Sequence, residues 1–124
     1  MSLFQLGPIR LHSGSVSSFK IDCDALTDDD IAALAAMLYE RLPSFGNVEG
    51  VPRGGLRLAA ALLPYREAHS GITDDPLLIV DDVATTGASL ERHRAGRPAI
   101  GAVIFARGPV PPWVTPLFSM ALIQ

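Results

Sequence analysis

The chain has 124 residues, a net charge of -3, and 48% hydrophobic against 19% charged residues, the composition of one globular domain with a core rather than of a disordered chain. One lysine, Lys20, and nine scattered arginines exclude the clustered positive charge that nucleic-acid binding by counterion release requires. No apolar run reaches the ~18 residues of a membrane span, and no stretch joins a basic start to a long apolar core, so a cytoplasmic protein is expected.

From Met1 to Ala25 the chain reads as extended and turn-rich, with Gly7-Pro8 and Ser13-Gly14-Ser15 as turns. Phe19, Ile21 and Cys23 alternate with polar residues, which makes Cys23 a buried strand thiol. It is the only cysteine, so neither an internal disulfide nor a cysteine-based zinc site within one chain is available. Thr27-Asp28-Asp29-Asp30 then starts a helix, with Thr27 as cap and Asp30 at the capping-box position. Ile31, Leu34, Ala35, Leu38 and Leu42 follow at helical spacing, and Pro43 ends the run.

Asn47 to Val51 predicts a short strand, and Leu56 to Leu63 a second helix after Pro52-Arg53-Gly54-Gly55. Pro64 to Pro76 is polar loop. Leu77 to Val80 is a continuous apolar run, as in a strand covered on both faces, and it ends in Asp81 and Asp82. Val83 to Ala88 reads as a Gly/Thr loop and Ser89 to Arg94 as a short helix. Ala99 to Phe105 predicts another buried strand, and Trp113 to Leu122 a last one. Strands and helices alternate, so the fold class is α/β with a parallel sheet, the N-terminal strands forming an appendage.

Ligands of open parallel sheets bind beyond the carboxyl ends of the strands, and two loops fall there. In the stronger, an apolar strand delivers Asp81 and Asp82, and the small residues Val83, Ala84, Thr85, Thr86, Gly87, Ala88 and Ser89 follow before a helix. Backbone N–H groups of such a loop close around a phosphate, while hydroxyls and the helix dipole add donors and positive potential. Adjacent carboxylates suit vicinal ribose hydroxyls, or water-mediated contact with a divalent ion. Phosphate at one end and diol at the other describe ribose 5-phosphate. No Gly-Lys-Ser/Thr follows the glycine, so this is not a Walker loop.

The stretch Leu78 to Ser89 resembles the phosphoribosyl diphosphate signature of the type I phosphoribosyltransferases. That resemblance implies one domain over 1–124: a central parallel sheet with flanking helices over 27–124 and a small N-terminal hood over 1–26. Val51-Pro52-Arg53-Gly54-Gly55 is similar to the family's diphosphate loop. There Arg53 would supply charge, Gly54 and Gly55 would let the backbone approach the oxygens, and the Pro52–Arg53 peptide is expected to be cis. The segment LHSGSVSSFKIDCDALTDDDIAALA is similar to the opening of orotate phosphoribosyltransferases through Ser13, Gly14, Phe19, Lys20 and Asp22, with His12 where those enzymes usually carry a lysine.

The implied reaction transfers a ribose 5-phosphate group between diphosphate and a nucleobase, orotate or a similar pyrimidine, with Mg2+ as cofactor. The implied ligands are phosphoribosyl diphosphate and a nucleobase or nucleoside monophosphate. Asp81, Asp82 and Arg53 would be catalytic, and Val83 to Ser89, Gly54, Gly55, Lys20 and His12 would bind substrate; no residue is assigned to a metal. A homodimer is also implied, and Trp113, Val114, Leu117, Phe118 and Met120 fit either its contact or a buried final strand. The family's long basic loop corresponds here to Pro64 to Pro76, which carries one arginine and no lysine. Arg66 and His69 could be a reduced version, or a partner subunit could lend Arg57 or Arg107. The alternative is therefore a phosphoribosyl-binding regulatory module of the same fold with reduced catalysis.

Overall fold

The computed structural model describes residues 4–10, 16–67 and 75–120, the first of these and 16–21 through their backbone. Strands β1 (Phe4–Arg10) and β2 (Val16–Ile21) form an antiparallel pair, with a register irregularity between Leu6 and Ile9. Strand β2 ends before Cys23. Asp22 caps a short 3-10 turn, Cys23–Ala25, by accepting from the Asp24 N–H. The thiol is buried, as the alternation predicts, but on that turn and not on a strand. Helix α1 (Asp28–Arg41) begins at the expected place: Thr27 Oγ1 accepts from the Asp30 N–H at 3.1 Å and Asp30 accepts from the Thr27 N–H at 2.9 Å.

The main sheet has four parallel strands in the order β3 (Asn47–Gly50), β4 (Leu77–Ala84), β5 (Ala99–Ala106), β6 (Val114–Ser119). Helix α2 (Leu56–Leu62) crosses from β3 to β4 and continues as a 3-10 turn to Tyr65, which takes up the start of the expected polar loop. Helix α3 (Ala88–Arg94) connects β4 to β5. Pro116 lies in β6, at the edge, where a missing N–H costs no central ladder bond.

Strand alternation divides the core into two. Leu78, Val80, Ala102 and Ile104 face one way and pack with Leu38 of α1 and Leu58 and Leu62 of α2. Ile79 and Val103 face the other way and pack with Leu90 of α3. Both faces of the sheet are covered by apolar side chains, which explains why β4 and β5 read as unbroken apolar runs. Val114 and Leu117 are buried in these layers, while Phe118 stays 40% exposed and stacks on Phe105. Among the described residues no helix is long and apolar enough to cross a membrane.

Candidate functional site

Strand β4 runs further than its apolar letters suggest. Val83 and Ala84, read from sequence as loop, remain in the ladder opposite Phe105 and Ala106. The aspartates therefore sit inside a strand, and successive side chains of a strand point to opposite faces. Asp81 follows the parity of Ile79 and lines a cavity of ≈ 290 Å³ with Val83 to Ser89, Leu90 and Arg92. Asp82 follows the parity of Val80 and lines a second cavity, ≈ 680 Å³, with Arg53, Gly54, Arg57 and the Asp22-Cys23-Asp24 turn.

The two carboxyls still touch at their root. Asp81 accepts from the Asp82 N–H at 2.8 Å, and Asp82 accepts from the Val83 N–H at 2.7 Å. Asp81 is 8% exposed. Burial, then the hydrogen bond to the Asp82 carboxyl and its charge, push Asp81 up to about 8. Asp81 therefore favours its protonated form near neutral pH, because a carboxylate buried beside a neighbouring negative charge ionises at a cost.

Around the first cavity the loop is built from close contacts. Gly87 has φ 85°, and a Cβ there would lie 2.5 Å from Pro111 Cδ, so both backbone hand and space demand glycine. Thr86 Oγ1 accepts from the Ala88 N–H at 3.3 Å. Arg92 Nη2 donates to Ser89 Oγ at 3.2 Å. From behind, the β5–β6 connection braces the loop, with the Arg107 N–H donating to Ala84 O at 2.8 Å. Trp113 Nε1 donates to Glu91 Oε1 at 2.6 Å, and Arg94 lies over the indole at 4.5 Å and also bonds Glu91.

Around the second cavity, the Pro52–Arg53 peptide is cis, as the resemblance implies. Gly54 lies against the Asp82 carboxylate so closely that a Cβ would stand 2.5 Å from Oδ2. Gly55 precedes α2 and packs on Val80 O rather than lining either cavity. Arg57, weighed from sequence as a group lent across subunits, bonds Asp28 at 3.0 Å and Leu26 O at 2.9 Å within its own chain. The Cys23 thiol is pushed up to about 12 by burial first and then by the charges of Asp82, Asp22, Asp24 and Asp81, so it stays protonated and inert.

Arg53, Gly54 and Asp82 are brought together, as are Asp81 and the whole run from Val83 to Ser89. Lys20 is placed on β2 opposite Gln5 through its backbone alone, and His12 and His69 lie outside the described residues. Sequence reading missed Arg92 and Asp24. Arg92 was signalled by its place three residues after Ser89 on a helix, where side chains are neighbours.

No protein-family model matches the chain, and no curated protein matches it by sequence. Solved structures do. Orotate phosphoribosyltransferase from Aeropyrum pernix is similar with TM-score 0.73 and 26% identity, over 98% of this chain and 90% of that one. UMP synthase from Leishmania donovani gives TM-score 0.72 and 19% identity over 98% of this chain and 34% of that one. Orotate phosphoribosyltransferase from Mycobacterium tuberculosis H37Rv, in complex with inorganic phosphate, gives TM-score 0.65 and 19% identity over 94% and 88%.

The parallel sheet and its flanking helices are those of the type I phosphoribosyltransferase fold. Within that fold the chain is orotate phosphoribosyltransferase-like.

Proposed function

We infer that the chain transfers a ribose 5-phosphate group between diphosphate and a nucleobase, a pyrimidine such as orotate, with Mg2+ as cofactor. The observation that carries this reading is the pair of adjacent carboxyls on β4. Asp81 and Asp82 stand between a cavity walled by a small-residue loop and one walled by the cis-peptide loop of Arg53 and Gly54. The 5-phosphate would meet the amides and hydroxyls of Thr85 to Ser89, and the aspartates would accept from the ribose hydroxyls. Arg53 would face the departing diphosphate. The charge on the sugar grows toward an oxocarbenium ion, so the residues act by positioning and by charge, not by covalent attack.

Magnesium keeps several waters and takes one or two carboxylates plus substrate oxygens. Among the described residues no group of three or more His, Cys, Asp or Glu is gathered for a metal, which argues against an all-protein cage. The Asp81–Asp82 pair fits the lighter requirement, since burial and the neighbouring charge that push Asp81 up mark a place where positive charge is wanted. When bound, the cation would neutralise the diphosphate as it leaves. A single domain with residues 1–26 as hood, a homodimer and a cytoplasmic location complete the reading; sedimentation showing only monomer would remove the dimer.

A second reading is favoured by the segment from Pro64 to Pro76, whose one arginine and absent lysine leave little charge to close over diphosphate. The chain would then bind phosphoribosyl diphosphate or a nucleotide as a regulatory module. Thermal unfolding with phosphoribosyl diphosphate and Mg2+, for wild type and Asp82→Asn, tests the shared part of both readings. Ligand at ~100 times its dissociation constant adds about 2.7 kcal/mol, and the variant should lose that shift. No shift for wild type at millimolar ligand would overturn both. Turnover against a panel of bases then separates the enzyme from the module.

A further inference from the structure

We propose that Arg92 is a phosphate-binding residue of the first cavity, acting together with Ser89; this rests on the phosphoribosyl reading of that cavity. Helix α3 and the turn after it carry Arg92, Arg94 and Arg97. Arg94 is committed to Glu91 and to the face of Trp113, and Arg97 makes two bonds to Glu49. Arg92 differs. Among the described residues it pairs with no carboxylate, and it lines the same cavity as Thr85, Thr86 and Gly87.

Its bond to Ser89 has a direction with consequences. The guanidinium donates, so it occupies a lone pair of Ser89 Oγ and leaves the hydroxyl proton to be given to another acceptor. A guanidinium and a hydroxyl at the edge of a loop of small residues form a donor set for phosphate oxygens. The other ionisable side chain lining the cavity is Asp81, which cannot balance the charge of a phosphate. Without Arg92 an entering phosphate dianion would meet a carboxyl group and neutral donors only. With it, the cavity offers a full charge on a side chain that is exposed and able to follow the ligand.

Calorimetric titration of wild type, Arg92→Gln and Arg92→Lys with ribose 5-phosphate, at low and at physiological salt, tests this. Arg92→Gln should weaken binding about 10-fold or more, the scale of one hydrogen bond to a charged group. Its affinity should also depend less on salt than that of wild type, a response that a merely structural role for Arg92 would not alter. Arg92→Lys should recover most of the loss. Equal affinity of wild type and Arg92→Gln, with equal salt dependence, would overturn the assignment while leaving the phosphoribosyl site in place. Failure of wild type itself to bind ribose 5-phosphate at millimolar concentration would overturn the reading of the cavity, and this assignment with it.

Discussion

Replacing Gly54 by alanine puts a methyl group where the Asp82 carboxylate already is. The added Cβ would stand 2.5 Å from Oδ2, 2.6 Å from Oδ1 and 2.7 Å from Cγ, so the carboxylate must swing away. That swing breaks the 2.7 Å bond from the Val83 N–H to Asp82 Oδ1 and the contact between the Asp82 and Asp81 carboxyls. A hydrogen bond to a charged group is worth ~1.5–3 kcal/mol, so the expected destabilisation is about 2 kcal/mol. For a domain of this size that lowers Tm by about 5–10 °C. Binding of phosphoribosyl diphosphate should fall at least as strongly as in Asp82→Asn, because the acceptor is displaced and not merely neutralised. The decisive assay is thermal unfolding of wild type, Gly54→Ala, Asp82→Ala and the double variant. In the Asp82→Ala background the new methyl has no carboxylate to meet, and its cost should largely vanish. An equal cost of Gly54→Ala in both backgrounds would refute the reasoning.

Two other outcomes are expected. Asp81 is raised from the ordinary carboxylate range to about 8 in the folded protein, so the folded state holds a proton that the unfolded chain has released. The ligand-free protein should therefore lose stability as pH rises from about 4 to 8, by up to about 1.4 kcal/mol per pH unit for one proton; urea unfolding across that range should show the slope, and Asp81→Asn should flatten it. Ala95 closes α3 in the left-handed conformation at φ 53° without being glycine, so Ala95→Gly should gain about 0.5–1 kcal/mol by thermal unfolding, and a loss there would mean the alanine methyl is held by packing.

The start of α1 was legible because the capping box is local, and each of its bonds spans three residues. The small-residue loop was legible for a similar reason: its residues are contiguous from Val83 to Ser89 and the cavity is walled by that run. The extent of β4 was not. Two aspartates and small residues carry the composition of a loop, yet the ladder to Phe105 and Ala106 holds Val83 and Ala84 in the strand. The parity that sends Asp81 and Asp82 into different cavities follows from that extension, so a reading that ended the strand at Val80 could not reach it. The Asp22–Asp24 turn meets Arg53 and Asp82 only through tertiary packing, and no spacing in the chain announces that meeting.

Pro111 touches the place where a Gly87 Cβ would stand, and Gly108 lies close to Thr85 O. The connection between β5 and β6 therefore acts as a mould for the Thr85–Ser89 loop as well as a link between strands. Its length is then a design constraint. A tag, graft or circular break introduced between Arg107 and Trp113 would reshape the loop it backs, even though every residue proposed to touch substrate had been left alone. Variation in this connector should be accompanied by compensating variation at Gly87 and its neighbours, and an engineer seeking a permissive insertion point should look elsewhere on the surface.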